Sequence, residues 1–255
     1  MTNPDPGRIQ KRAQAMAGKH ILLVGASGGI GTQLAAMFPN DFLALHYYQH
    51  ELGQQGERPG SNPAHPRGFA ADITKYEQVE RMVTEVLREF GRIDVTINCA
   101  GISLDAMAHK FTPDDWQNVI QTNLIGAFNV IRAVLPSMRT NKYGRIINMS
   151  SVVFQRPVLG TTAYSASKAG LVGLTRTVAL ENAHLGITCN CIALGYFEAG
   201  LLYRIPLEMR EAIRRAIPIG RFGQVEEIQR TIQYLIDTEY ITGQVVNLNG
   251  GLYTG

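Results

Sequence analysis

Cysteine is scarce and unpaired. Only Cys99, Cys189 and Cys191 occur in 255 residues. An odd count without paired spacing argues against a disulfide framework. Cys189 and Cys191 have no second pair and no histidine cluster beside them, so no zinc or other metal site is expected. They lie in an apolar, strand-like run whose alternation puts both on one face, and they read as buried thiols. Charge is thin as well. Charged residues make up 18% of the chain and the formal net charge is +3. That excess is too small to imply a nucleic-acid partner and is compatible with an anionic small ligand. No apolar run approaches the length of a membrane span. Residues 1–17 are polar, carry Pro4, Pro6 and Gly7, and contain no apolar stretch of signal-peptide length. Internal repeats and low-complexity segments are missing too. The expectation is a cytoplasmic protein with a loose extension over 1–17 and one domain over 18–255.

What the chain does have is alternation. Short apolar runs of strand length fall at 20–24, 42–47, 69–71, 93–98, 145–149, 187–193 and 245–248. Helical patterns fall between them. The clearest spans 74–90, where Val79, Met82, Val83, Val86, Leu87 and Phe90 form one stripe, with Thr74 and Glu77 as a capping box and Gly91 after the last turn. Thr112 can cap a second long helix, with Pro113 at its first position, running to about Met138. Further helical patterns cover 201–216 and 225–236. Residues 49–68 carry three glycines and three prolines between 53 and 66 and read as an extended loop. Strand and helix in alternation predict one parallel sheet of about seven strands with helices on both faces, a doubly wound α/β fold of Rossmann type.

Two patterns inside this frame point to chemistry. The first strand runs into Gly25-Ala26-Ser27-Gly28-Gly29-Ile30-Gly31, which opens a helix. Glycines there let backbone N–H groups approach a pyrophosphate at a helix N-terminus. The spacing is G-x-x-x-G-x-G, not the G-x-G-x-x-G of the dinucleotide fingerprint. A glycine turn can be purely structural, but its place after the first strand favours a cofactor. The second pattern is Tyr164 and Lys168, four residues apart in a helical stretch running from 161 to about 185. They share one helix face. An ammonium near a phenol favours the phenolate, so the tyrosine pKa is expected to fall and Tyr164 to serve as a general acid or base. Taken alone, the pair reads better as a surface tyrosine above a solvated lysine.

With both patterns in hand, the chain resembles the short-chain dehydrogenase/reductase family over nearly its whole length. The glycine turn looks like that family's cofactor turn. Asn98-Cys99-Ala100-Gly101 is similar to its N-N-A-G segment, and Asn123, Ser151, Tyr164 and Lys168 match its catalytic tetrad in order and spacing. The resemblance implies cofactor contacts from Gly25, Ser27, Gly28, Gly29, Ile30 and Gly31. Others would come from His46 and Tyr47, Asp72 and Ile73, Asn98, Ala100 and Gly101. Tyr164, Lys168, Leu194, Gly195 and Phe197 complete the set. Within the family the chain is similar to the 3-oxoacyl-(acyl-carrier-protein) reductases of fatty acid biosynthesis and their acetoacetyl-CoA relatives. The residues carrying this are 144–151, 218–223 and 243–253.

The resemblance implies hydride transfer from a nicotinamide to a carbonyl carbon. Tyr164 would protonate the oxygen, Ser151 would hold it, Lys168 would tune the phenol and bind the nicotinamide ribose, and Asn123 would hold a water linking Lys168 to solvent. Four positions depart from the family pattern: Val24, Cys99, Leu194 and Ala199 stand where threonine, asparagine, proline and threonine are usual. They leave open a non-catalytic nucleotide-binding regulator, against which the intact tetrad speaks. An NAD-linked alcohol or steroid dehydrogenase is the other alternative. The second strand ends in His46-Tyr47-Tyr48-Gln49-His50 without an acid, which favours NADPH, although NAD is possible. A homotetramer is expected from the apolar helices at 112–138 and 164–185. Acyl carrier protein is a possible partner, with Lys142 as half of a basic docking pair beside the active-site mouth.

Overall fold

A computed structural model describes residues 18–50, 52 and 66–255. The expected extension over 1–17, and most of the expected loop over 49–68, lie outside them. Seven strands form one parallel sheet in the order β3-β2-β1-β4-β5-β6-β7. They are β1 (His20–Val24), β2 (Phe42–Tyr47), β3 (Arg67–Ala70), β4 (Val95–Asn98), β5 (Gly144–Ser151), β6 (Ile187–Leu194) and β7 (Val245–Leu248). Every residue of β5 and β6 is buried. A parallel sheet covered on both faces requires this, and it explains why these strands read as apolar runs rather than alternating ones. Chain order reverses between β1 and β4. Ligands of such sheets bind in the crevice beyond the strands' carboxyl ends at that switch point.

The helices are α1 (Gly29–Ala35), α2 (Tyr76–Phe90), α3 (Pro113–Ile120), α4 (Gly126–Asn141), α5 (Thr162–Asn182), α6 (Leu207–Ala216) and α7 (Val225–Asp237). One core, with Leu34, Ile228 and Ile232, fills one side of the sheet. The other side holds Val83, Val134 and Val178 of α2, α4 and α5.

Three helix expectations change. Thr74 does not cap α2: its hydroxyl donates to Asp72 Oδ1 at 2.7 Å, and α2 begins after Lys75 without a side-chain cap. The pattern over 201–216 is broken at Pro206 into a short 3₁₀ turn, Gly200–Arg204, and α6. The long helix capped by Thr112 contains a π turn, Gln121–Ile125, that joins α3 to α4. By length and composition the stretch Pro113–Asn141 is also long and apolar enough to cross a membrane. Here it lies along the sheet, with Val119, Val130, Val134 and Met138 in contact with the interior.

Arg145 is the largest polar side chain inside the protein, at 1% exposure. Its guanidinium donates to the carbonyls of Ile236, Gly144 and Gly186 at 2.9–3.0 Å and stacks on Tyr143. Three segments at the amino end of the sheet are thereby joined. Its Glu239 partner is exposed and adds little. Arg145→Met should cost about 3 kcal/mol or more, because several buried carbonyls lose their donor. Urea denaturation should show a lower midpoint with an unchanged slope, and Arg145→Lys should recover only part of it, since one ammonium lacks the guanidinium fork.

Candidate active site

Four segments converge at the carboxyl ends of the central strands. Gly25 follows β1, Asn98 ends β4 and leads into Gly101, Ser151 ends β5, and Leu194 ends β6 in register with Ser151. Their approach depends on absent side chains. A Cβ on Gly25, at φ +82°, would sit 2.7 Å from Ala100 Cα; one on Gly31 would sit 2.2 Å from the Gly25 carbonyl oxygen. A Cβ on Gly29 would lie 2.5 Å from Gly200 Cα, so the segment after β6 folds down onto the glycine turn. Ala199, in that segment, is buried in the core.

The phenol and the amine are positioned by a zipper between β5 and α5. Ser150 Oγ donates to the Lys168 carbonyl at 2.9 Å, and Lys168 Nζ donates to the Met149 carbonyl at 2.8 Å. Ser165 Oγ reaches Val153 O at 3.0 Å. Tyr164 and Lys168 share the helix face as the spacing demands, with Nζ 5.4 Å from the centre of the phenol ring. Gly101 leaves room for this arrangement: a Cβ there would be 3.3 Å from both Lys168 Nζ and Asn123 Oδ1.

Asn123 lies in the π turn at 1% exposure. Its Oδ1 accepts the Ile102 N–H at 2.8 Å, and its Nδ2 donates to Ile102 O at 2.9 Å and to Ser167 Oγ at 3.0 Å. Both N–H bonds are committed. Only the second lone pair of Oδ1 is left for a water, so the expected water-holding role narrows to that one position.

The electrostatics differ from the sequence expectation. Burial pushes the partly exposed Tyr164 up to about 12, while the Ser151 side chain acts in the opposite direction. Burial pushes Lys168 down to about 8, against the pull of Cys99 and Cys191. The phenol is therefore protonated at neutral pH, the state a proton donor needs, and burial rather than the lysine sets the direction of its shift. Cys99 is likewise pushed up by burial, to about 11, and is a neutral thiol beside Lys168.

The cofactor segments fit an anionic nucleotide. The N–H groups of Gly29, Ile30 and Gly31 have no acceptor among the described residues, and the first turn of α1 carries no acid. Ser27, Gly28, Gly29 and Ile30 are accessible or partly so, as are Tyr47, Asp72, Ala100 and Gly195. Besides Gly31 and Lys168, five other expected contacts are buried. Ile73 and Leu194 belong to the two cores, and Phe197 packs against Gly223. Asn98 Nδ2 donates to Asn148 Oδ1 at 2.7 Å between β4 and β5. His46 has both ring nitrogens taken by backbone groups, which leaves no polar ring atom for a ligand.

Lys142 also departs from expectation. It is exposed in a left-handed turn just before β5, at the opposite end of that strand from Ser151. Eight residues of strand separate them by roughly 25 Å. It does not flank the cleft of its own chain. Beside the cleft, a cavity of about 220 Å³ is walled by Val152, Val158, Ile213 and Leu252, with Arg156 and Tyr196 as its polar lining.

A family model described as enoyl-(acyl carrier protein) reductase matches residues 25–253. Among curated proteins, a 3-oxoacyl-(acyl-carrier-protein) reductase of Thermotoga maritima is 36% identical over 242 residues, covering 93% of this chain and 98% of the relative. An acetoacetyl-CoA reductase of Shinella zoogloeoides is 38% identical over 239 residues, covering 91% and 97%. A 3-oxoacyl-(acyl-carrier-protein) reductase of Staphylococcus epidermidis is 34% identical over 241 residues, covering 92% and 99%. With the parallel sheet, the glycine turn and the Tyr164–Lys168 pair, these matches lead to one conclusion: the chain belongs to the short-chain dehydrogenase/reductase family, and it is a nicotinamide-dependent oxidoreductase acting on a carbonyl or hydroxyl group.

Proposed function

We propose that this enzyme reduces a 3-oxoacyl thioester to the 3-hydroxyacyl thioester, with NADPH as the preferred reductant. The observation that carries the reading is the Tyr164 phenol beside Ser151 and the buried Lys168 amine, at the carboxyl ends of the central strands. A bound nicotinamide supplies the hydride to the substrate's carbonyl carbon. Ser151 donates a hydrogen bond to the carbonyl oxygen and fixes its place as negative charge develops there. Tyr164 gives that oxygen a proton, and the Lys168 ammonium stabilises the phenolate left behind. Asn123 holds Ile102 and Ser167 in place beside the cleft. The cavity between Val152 and Leu252 takes the acyl group. The thioester itself is inferred from the relatives' substrates.

The preference for NADPH rests on the missing acid at the end of β2. Tyr47 and His50, both at or beyond that end, would face the adenosine ribose, and nothing among residues 45–50 would repel a phosphate. Oxidation of NADPH and NADH by acetoacetyl-CoA, followed by absorbance, tests both halves. The expected result is a higher kcat/KM with NADPH; a clear NADH preference would refute the cofactor choice.

The electrostatics give a pH dependence. Reduction should slow as pH rises through about 8, where Lys168 loses its charge while Tyr164 at about 12 remains protonated. A rate flat from pH 7 to 9.5 would remove Lys168 from this role.

We also propose a homotetramer. Phe128 on α4 and Leu180 on α5 are 43% and 81% exposed on neighbouring helices, an apolar surface suited to isologous pairing. Sedimentation as a monomer at micromolar concentration would contradict it. A cytoplasmic location and acyl carrier protein as one carrier of the substrate complete the proposal; purified carrier-bound substrate, compared with its CoA counterpart, tests the latter.

A further inference from the structure

We propose that His46 is a positioning residue for the cofactor: its imidazole ties the glycine turn to the corner after β3 and so fixes the spacing of two walls of the nucleotide site. His46 is the last inward-facing residue of an otherwise apolar β2, at 3% exposure. Its Nδ1 lies 3.0 Å from the Gly25 nitrogen and its Nε2 lies 2.9 Å from the Ala71 carbonyl oxygen. A carbonyl can only accept, so Nε2 carries the proton. Nδ1 is then bare and accepts the Gly25 N–H. One neutral tautomer satisfies both bonds.

The backbone of the same residue extends the link. The His46 carbonyl accepts the Ala26 N–H at 2.9 Å, so two consecutive N–H groups of the turn are held by one residue. On the other side, the next carbonyl, of Tyr47, accepts the Ala71 N–H at 3.0 Å. The turn can hardly find another anchor. Gly25 is at φ +82° and has Ala100 backbone within 2.7 Å of where its Cβ would be, so it is confined on its other face. Asp72, directly after Ala71, is partly accessible at the same corner. The side chain of His46 therefore sets the distance between the turn that would cradle the pyrophosphate and the corner that would meet the adenine.

A protonated imidazole cannot do this. With hydrogens on both nitrogens, Nδ1–H would face the Gly25 N–H and the bond would be lost. Burial holds the ring below the ordinary histidine range, while the Ala71 carbonyl and the Asp72 charge act against it. Asp72 is the charged side chain acting on the ring. The residues opposite it in β1 and β3 are Val24 and Phe69, and neither carries charge.

The test rests on the glycine turn as the cofactor site and compares two variants with the wild type. His46→Asn keeps one donor and one acceptor; His46→Leu keeps bulk and removes both. Dissociation constants for NADPH and NADH are measured by fluorescence titration without substrate, from pH 5 to 8, alongside cofactor KM, kcat and thermal midpoints. His46→Leu should bind both cofactors about tenfold more weakly at pH 7.5, with KM rising more than kcat falls. His46→Asn should recover much of the loss. Wild-type binding should weaken on acidification below the ordinary histidine range, and His46→Asn should lack that component. If His46→Leu fails to fold, the comparison of pH profiles between wild type and His46→Asn decides. Wild-type affinity for both cofactors in a folded His46→Leu, or identical pH profiles for wild type and His46→Asn, would overturn the proposal. A wild type that binds neither cofactor would instead count against the cofactor site itself.

Discussion

Tyr164→Phe should lose most of its turnover while keeping its fold and its cofactor. The substitution removes one oxygen from a helix held by other bonds: Ser150 to Lys168, Lys168 to Met149, and Ser165 to Val153. None of these uses the phenol. General acid–base terms are worth roughly 10²–10⁴-fold in rate, and Tyr164 is the only proton donor the proposed mechanism assigns to the carbonyl oxygen. Ser151 still orients that oxygen but has no charged partner to offset loss of its own proton. The check is kcat at saturating cofactor and substrate, with circular dichroism and cofactor titration on the same preparation. Wild-type turnover would end the assignment; loss of cofactor binding alongside turnover would mean that the phenol serves the site's structure and not the proton transfer.

The second large effect is expected at Gly31. A Cβ there would lie 2.2 Å from the Gly25 oxygen and 2.9 Å from Ala26 Cα, all backbone atoms of the turn. No side chain can rotate away to relieve the contact. Gly31→Ala must therefore shift the turn or the start of α1. Overpacking of this kind costs about 1–3 kcal/mol; if it falls on the turn, cofactor affinity drops by up to about a hundredfold. Gly28 supplies the internal control. It lies three residues earlier in the same turn, where a Cβ would meet only the Gly25 oxygen at 3.3 Å. Gly28→Ala should bind cofactor within a few-fold of wild type by comparison. Equal affinities in the two variants would show that the turn's tight packing does not govern binding.

The sequence makes the sheet legible because each strand is a short apolar run between strong punctuators. His20–Val24, Phe42–Tyr47 and Val245–Leu248 are bounded as the residue pattern places them. The glycine turn is legible for the same reason. The π turn at Asn123 is not: Gln121 to Ile125 differ in no local way from the helix on either side, and the extra backbone residue shows only once the side chain's bonds to Ile102 and Ser167 are seen. Helix ends fail where side chains choose between local partners, as when Thr74 bonds Asp72 rather than capping α2. Pro206 was a visible signal that the apolar pattern around it obscured.

The electrostatic error has a different source. Spacing puts a lysine beside a tyrosine, but spacing says nothing of burial. Lys168 is 4% exposed, and desolvation displaces both groups toward their neutral forms. Arg145, and the structural rather than ligand-contacting role of His46, also lie beyond a purely periodic reading. Each is a polar residue inside a buried parallel strand, and that incongruity is the signal of a structural role. The burial of such side chains is tolerable only when their hydrogen-bonding groups are matched, as both are here.

The four departures from the family pattern are accommodated rather than disruptive. Val24 and Leu194 sit in the two cores at the ends of β1 and β6, Ala199 is buried in the segment after β6, and Cys99 is a neutral thiol beside Lys168. None of them removes a member of the group at the cleft, so the arrangement supports an enzyme better than a nucleotide-binding regulator.

The matching family model is described as an enoyl reductase, while the curated relatives reduce 3-oxoacyl or acetoacetyl thioesters by name. Isotope transfer separates these chemistries most directly. NADPH deuterated at its transferable hydrogen is incubated with the enzyme and either acetoacetyl-CoA or crotonyl-CoA, and the products are analysed by mass spectrometry and NMR. The proposed function requires one deuterium at C3 of 3-hydroxybutyryl-CoA and no reduction of crotonyl-CoA. Deuterated butyryl-CoA from crotonyl-CoA, with acetoacetyl-CoA untouched, would contradict it.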